Sequence, residues 1–253
     1  MDSSWLFNLG ADVYAWFTAQ KAWRGSAGAL ANLLENGAVA SLAEGVSVAN
    51  LAELGGGARI ADLGCGPGVS TFELARRLPA ARLIGLDVAP RMLGEARRRR
   101  RRADMASARI TWLRADAAQL PFKSASLDAC TGHSFLYLVA DRRAVLSEIK
   151  RVLRPGGRLL LMEPNDRPAS VRQALSLSRD PRHLVSISLW RPFSRLHGRF
   201  TPATLIATLR QAGFVSCQTT ETLAGLGLLA SATAPPPASN SRSRRHDMSR
   251  DPS

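Results

Sequence analysis

The chain has 253 residues and 27.2 kDa, 45% of them hydrophobic and 21% charged, with 34 Lys+Arg against 20 Asp+Glu and a formal net charge of +14. That length suits one large domain or two small ones, and the apolar fraction excludes disorder of the whole chain. No apolar run approaches the ~20 residues of a membrane span, and residues 1–10 carry Asp2 and no basic residue, which argues against a secretory leader and for the cytoplasm.

In chain order, residues 1–45 hold Trp5, Phe7, Tyr14, Trp16, Phe17 and Trp23. Val13, Trp16, Ala19 and Trp23 share a helical face with Phe17 on its flank, although Gln20 falls on the same side. The expectation is an N-terminal helical cap that either covers a sheet edge or closes over a ligand. From Arg59 short apolar runs alternate with amphipathic stretches, the pattern of a parallel sheet flanked by helices. The strands read as 59–64, 82–88, 110–117, 127–132 and 157–164, the helices between them as 69–78, 91–105 and 142–153. Pro155-Gly156-Gly157 is read as the stop of the last of these helices, before the fifth strand.

The charge is concentrated. Of 31 arginines six are consecutive, Arg97 to Arg102, and the tail from Pro235 to Ser253 adds a net +2, so the remainder carries +6. On a helix six consecutive residues wind over all sides and form no single basic stripe, which favours a solvated helix surface over a nucleic-acid groove. Residues 165–200 do not continue the alternation. Thr201-Pro202 then reads as an N-cap followed by proline at the first helical position, and Gly213 stops that helix. Two further strands, 214–223 and 226–234, are joined only by Ala224-Gly225, so they run antiparallel. The tail 235–253, rich in Pro, Ser and Arg, reads as disordered and basic. Cys65, Cys130 and Cys217 have no metal-ligand or disulfide spacing.

The most informative segment is Asp62-Leu63-Gly64-Cys65-Gly66-Pro67-Gly68, following a strand and opening a helix. Its spacing is GxGxG, with Val69 where a dinucleotide-binding loop has its third glycine, and Asp62 would set negative charge beside a pyrophosphate. An acid there suits a ligand with positive charge. Asp87, 19 residues past Gly68, stands where an acid accepts ribose hydroxyls, and Asp116 where one meets an adenine amino group. The bland alternative for both is a strand-end acid capping the next turn.

These residues, with Gly85-Leu86-Asp87-Val88, Ala115-Asp116-Ala117-Ala118-Gln119-Leu120-Pro121-Phe122 and Arg151-Val152-Leu153-Arg154-Pro155-Gly156-Gly157-Arg158, resemble the successive motifs of class I S-adenosylmethionine-dependent methyltransferases. The group most similar in pattern includes the ubiquinone and menaquinone biosynthesis methyltransferases, and the resemblance covers about residues 55 to 165. It implies an α/β, Rossmann-like fold: a seven-stranded, mostly parallel sheet with one antiparallel strand, helices on both faces, and an N-terminal helical lid. The implied domains are a cap at 1–45, the methyltransferase domain at 46–234 with 165–200 as substrate cap, and the loose tail. It also implies S-adenosyl-L-methionine as cofactor, its methionine part over Gly64, Cys65, Gly66 and Gly68 with Asp62 near the ammonium. Asp87 would take the ribose, and Asp116 with Ala117 the adenine.

His133, after the fourth strand, is the imidazole placed by sequence to act as general base, or else to cap a turn. Tyr14, Tyr137 and Trp190 are the expected acceptor contacts. The segment Thr131-Gly132-His133-Ser134 differs from the Asn-Pro-Pro-Tyr type used on planar amino nitrogens, so the expected acceptor is a small or lipid-like molecule, aromatic or quinone-like. RNA methylation and non-catalytic cofactor binding are the alternatives. No metal and no nucleic acid are expected as partners, and peripheral contact with a membrane stays open.

Overall fold

The computed structural model describes residues 15, 18, 21–36, 57–102, 108–168, 170–178 and 180–236. Seven strands, β1 (Arg59–Leu63), β2 (Arg82–Asp87), β3 (Ile110–Arg114), β4 (Leu127–His133), β5 (Leu153–Pro164), β6 (Val215–Thr222) and β7 (Gly227–Thr233), form one sheet in the order β3-β2-β1-β4-β5-β7-β6. The first five pair in parallel, and β7 runs antiparallel to both its neighbours. Only a short 3-10 turn at Leu223–Gly225 joins β6 to β7, too little chain for a parallel crossover.

Among the described residues seven α-helices surround the sheet: α1 (Lys21–Asn36), α2 (Val69–Arg77), α3 (Pro90–Arg102), α4 (Arg142–Val152), α5 (Val171–Leu177), α6 (Pro181–His197) and α7 (Pro202–Gln211). β1 is flanked by β2 on one side and β4 on the other, so the strand order reverses there and opens a crevice past the carboxyl ends of the strands.

Period-two alternation divides each strand between two cores. Leu159 and Leu161 of β5 pack with Leu146, Ile149, Leu205 and Leu209 on one face. Leu160 and Met162 pack with Trp23, Leu30, Phe72 and Ile187 on the other. Both faces are covered, as a parallel sheet requires.

α1 exists because Trp23, Ala27, Leu30, Ala31 and Leu34 repeat at helical spacing and are all buried. It packs on α2 and β5. Arg158, buried in β5, donates to the carbonyls of Leu33 and Leu34 at 2.7 Å each, satisfying the last turn of α1 at the negative end of its dipole. Burial lowers the Arg158 pKa to about 10, which leaves it charged near neutral pH. Of the aromatic face read from residues 13 to 23, Trp23 is the member within α1; Val13, Trp16, Phe17 and Ala19 lie outside the described residues, as do Tyr14 and the tail beyond 236.

Three readings of the sequence need correction. β3 ends at Arg114, because Asp116 opens a turn: its Oδ1 accepts the Ala118 N–H at 2.9 Å and its carbonyl that of Gln119 at 3.0 Å. α4 stops at Val152 with Leu153 already extended and paired to Leu127; Pro155-Gly156-Gly157 lies inside β5, in a register shift of the β4–β5 ladder, with Gly156 at φ +77°. The segment after β5, where the alternation was expected to break, is two successive helices, α5 capped by Ser170 and α6 by Asp180 with Pro181 at its first position. The arginine run is also not uniformly solvated. Arg100 donates to the carbonyls of Ile110 and Ala108 at 2.9 and 2.8 Å, Arg98 and Arg99 pair with the buried Glu95, and Arg99 also donates to the Ala15 carbonyl.

Candidate functional site

The loop between β1 and α2 is built around three left-handed glycines, Gly64 (φ +60°), Gly66 (φ +52°) and Gly68 (φ +83°), a region costly for any residue with a Cβ. Gly64 also lacks room: a Cβ there would sit 2.5 Å from the Phe135 ring.

Asp62 is wholly buried beneath this loop. Its Oδ2 accepts from Ser70 Oγ at 2.7 Å and Thr71 Oγ1 at 2.6 Å, and its Oδ1 from Thr131 Oγ1 at 2.9 Å, so three of about four lone-pair sites are taken. Burial raises its pKa, with the three hydroxyls opposing. One carboxylate thus ties β1, the first turn of α2 and β4 together. The hydroxyl partners went unread in the sequence, where Ser70 and Thr71 look like ordinary first-turn residues.

Asp87 closes β2 at the edge of the crevice, half-buried. Its Oδ2 accepts the Gly66 N–H at 2.9 Å and its Oδ1 the Ala89 N–H at 2.8 Å. The local cap is therefore present, and the carboxylate still has lone pairs for two hydroxyl donors. Burial raises its pKa against those amides. Asp116 is exposed with Ala117 half-buried beside it. Cys65 is buried, and burial followed by the nearby Asp87 and Asp62 carboxylates pushes its thiol well above the ordinary range, which suits a filler and not a nucleophile.

His133 ends β4 and points at α1. Its Nε2 lies 2.8 Å from Ser26 Oγ, and its ring meets Trp23 edge-on at 6.3 Å. Burial lowers its pKa to about 4, so the ring is neutral near neutral pH and a weaker base than a free histidine. Trp190, on α6, packs edge-on against Trp23 at 4.9 Å. Tyr137 is buried in a 3-10 turn, Leu136–Leu138, edge-on to His197 at 6.4 Å and on a different cluster from Trp190.

Glu163 was missed. It ends β5, fully buried, and accepts the backbone N–H groups of Phe135 (3.2 Å), Leu136 (2.7 Å) and Tyr137 (3.1 Å). Burial raises its pKa from 4.5 to about 7 against those three amides and Arg142. The sequence signal was a lone acid closing the apolar run Leu159-Leu160-Leu161-Met162. It fixes the turn that lays Phe135 over Gly64 and Gly132.

This sheet order, with a glycine loop after β1 and an acid at the end of β2, is similar to the core of class I S-adenosylmethionine-dependent methyltransferases. Residues 60–157 match the family model described as a methyltransferase domain. The demethylmenaquinone methyltransferase of Thermus thermophilus is 41% identical over 90 residues, 36% of this chain and 40% of that protein, so the match spans well under half of the relative's length. Among solved structures, a SAM-dependent methyltransferase from Aquifex aeolicus superposes with TM-score 0.55 at 15% identity, covering 73% of this chain and 87% of that one. The [4+2]-cyclase SpnF superposes with TM-score 0.64 at 20% identity over 92% and 96%. The fold therefore accommodates more than one named reaction, and the function has to be argued from the site.

Proposed function

We propose that this chain transfers a methyl group from S-adenosyl-L-methionine to a small, flat, apolar acceptor, aromatic or quinone-like, held between α1 and α6 above the end of β4. The observation that carries the reading is the left-handed Gly64-Gly66-Gly68 loop with the Asp87 carboxylate bonded to its middle amide. When bound, the cofactor supplies an electrophilic methyl group on a sulfonium. Gly64, Gly66 and Gly68 let the backbone approach it closely, Asp87 accepts the ribose hydroxyls, and Asp116 with Ala117 borders the base. Asp62 holds the loop from below, its charge reaching an ammonium through the loop and not by contact.

Residues 1–45 and 165–200 are proposed as the acceptor cap on the domain 46–234, because Trp23 and Ser26 of α1 meet His133 and Trp190 of α6 packs on Trp23. A neutral His133, bonded to Ser26, can take a proton only from an acceptor more acidic than an alcohol. The relative named demethylmenaquinone methyltransferase supports an aromatic or quinone-like acceptor. The RNA alternative is disfavoured by where the arginines lie: Arg59, Arg82, Arg100 and Arg109 line a cleft of about 610 Å³ at the opposite, amino-terminal edge of the strands.

Contact with an anionic membrane is proposed for the outer face of α6. Val185, Leu189 and Leu196 are 48%, 57% and 83% exposed, in line with exposed Pro192 at helical spacing, and Arg182 and Arg195 flank them. No helix among the described residues is long and apolar enough to cross a membrane. Co-sedimentation with vesicles containing phosphatidylglycerol tests this, and equal binding by Leu189→Asp/Leu196→Asp would reject it.

Isothermal titration with S-adenosylmethionine and S-adenosylhomocysteine, comparing Asp87→Ala, tests the cofactor site. Methyl release from labelled cofactor against phenolic and quinol acceptors tests catalysis. Binding without transfer to any acceptor would favour a non-catalytic role.

A further inference from the structure

The wall between α1 and α6 contains three polar atoms without a hydrogen-bond partner among the described residues: Nδ1 and Nε2 of the wholly buried His183, and the buried Trp190 Nε1. Their neighbours are paired: Trp23 Nε1 donates to Ser186 Oγ at 2.8 Å, and His133 Nε2 meets Ser26 Oγ. His183, Ser186 and Trp190 fall at i, i+3 and i+7 of α6, on the same inner face, and Trp23 lies against both unpaired rings, 6.4 Å from His183 and 4.9 Å from Trp190.

A buried polar atom without a partner costs free energy, and such atoms are rare enough to need a reason. Leucine and phenylalanine would fill these places without that cost. Burial also favours the uncharged form of His183, which leaves one N–H donor and one acceptor nitrogen; Trp190 offers a donor only.

We infer that His183 and Trp190 are the residues that recognise the polar group of the acceptor, and that this group is a hydroxyl on an uncharged flat ring. A hydroxyl can donate to the histidine nitrogen while accepting from an N–H through the same oxygen, which a quinone carbonyl, an acceptor only, cannot do. The inference rests on the proposed acceptor position between α1 and α6. It assigns the specificity of that position to α6, so recognition and proton transfer use different histidines.

The full-length protein is tested by equilibrium dialysis with two probes of similar shape, 2-naphthol and 2-methylnaphthalene. Wild type is expected to bind the naphthol about fivefold more tightly, the order of one net hydrogen bond. In His183→Leu and Trp190→Phe the preference is expected to fall toward parity, with the hydrocarbon bound no more weakly than by wild type and with unchanged S-adenosylhomocysteine affinity. A preference that survives both substitutions overturns the assignment. Trp23→Ala separates the two levels. If it leaves the binding of both probes unchanged, the acceptor position itself is wrong; if it weakens both while the two α6 variants keep the preference, only the roles of His183 and Trp190 fall.

Discussion

Glu163→Gln isolates the group that orders the turn after β4. Glutamine keeps the volume and one carbonyl oxygen, which can serve Phe135 and Leu136. Its amide nitrogen then faces the Tyr137 N–H, donor against donor, and one buried amide loses its acceptor at a cost of about 1–3 kcal/mol.

The pH dependence gives the sharper test. The folded pKa of Glu163 is raised from 4.5 to about 7, so the folded state favours the protonated acid. Its contribution to stability is complete below pH 4.5 and is lost as pH rises through about 7. With about 1.4 kcal/mol per pH unit, the loss is on the order of 3 kcal/mol by pH 8. Glutamine cannot ionise. The variant should therefore be less stable than wild type at pH 5, and the gap should shrink or reverse by pH 8. Urea unfolding midpoints at the two pH values measure this, and comparison with wild type cancels the other titrating groups. A gap of the same size at both pH values would refute the assignment of a raised pKa to Glu163.

Gly64→Ala places a Cβ 2.5 Å from the Phe135 ring at φ +60°, so it should lower cofactor affinity at least about tenfold; titration calorimetry decides, and wild-type affinity would show the loop is not the cofactor cradle. Leu30→Ala removes a fully buried side chain from the inner face of α1 and should cost about 3–5 kcal/mol in denaturant unfolding; a loss under 1 kcal/mol would mean that α1 is not docked on the sheet. Cys65, Cys130 and Cys217 are buried, and burial raises the pKa of Cys65 and Cys130. Iodoacetamide should leave those two unmodified in folded protein at pH 8 by mass spectrometry.

The sheet was legible because parallel strands buried on both faces leave apolar runs, and the glycine loop because left-handed backbone demands glycine at three fixed positions. Asp87 was legible as an acid at the end of β2. Other features depended on partners far away in sequence. Asp62 looked like a ligand contact until Thr131, 69 residues on, was seen to share its burial. The arginine run looked solvated because its partners include carbonyls of β3 and the segment before it. Pro155-Gly156-Gly157 carries the same residues whether it ends a helix or bends a strand, and only the pairing of Leu153 with Leu127 distinguishes them. Glu163 needed a turn 26 to 28 residues away to give it a purpose.

The bond from Arg158 to Leu34 joins residues 124 positions apart, and Ser26 meets His133 across 107. Contacts so distant order late, since the loop between them must close first. On the ribosome, at roughly 5–20 residues per second, the end of α1 waits about 6–25 s for its arginine to be made. The end of α1 is thus made well before the strand that secures it, and the hydrogen bonds at its end should exchange with solvent before those of the sheet.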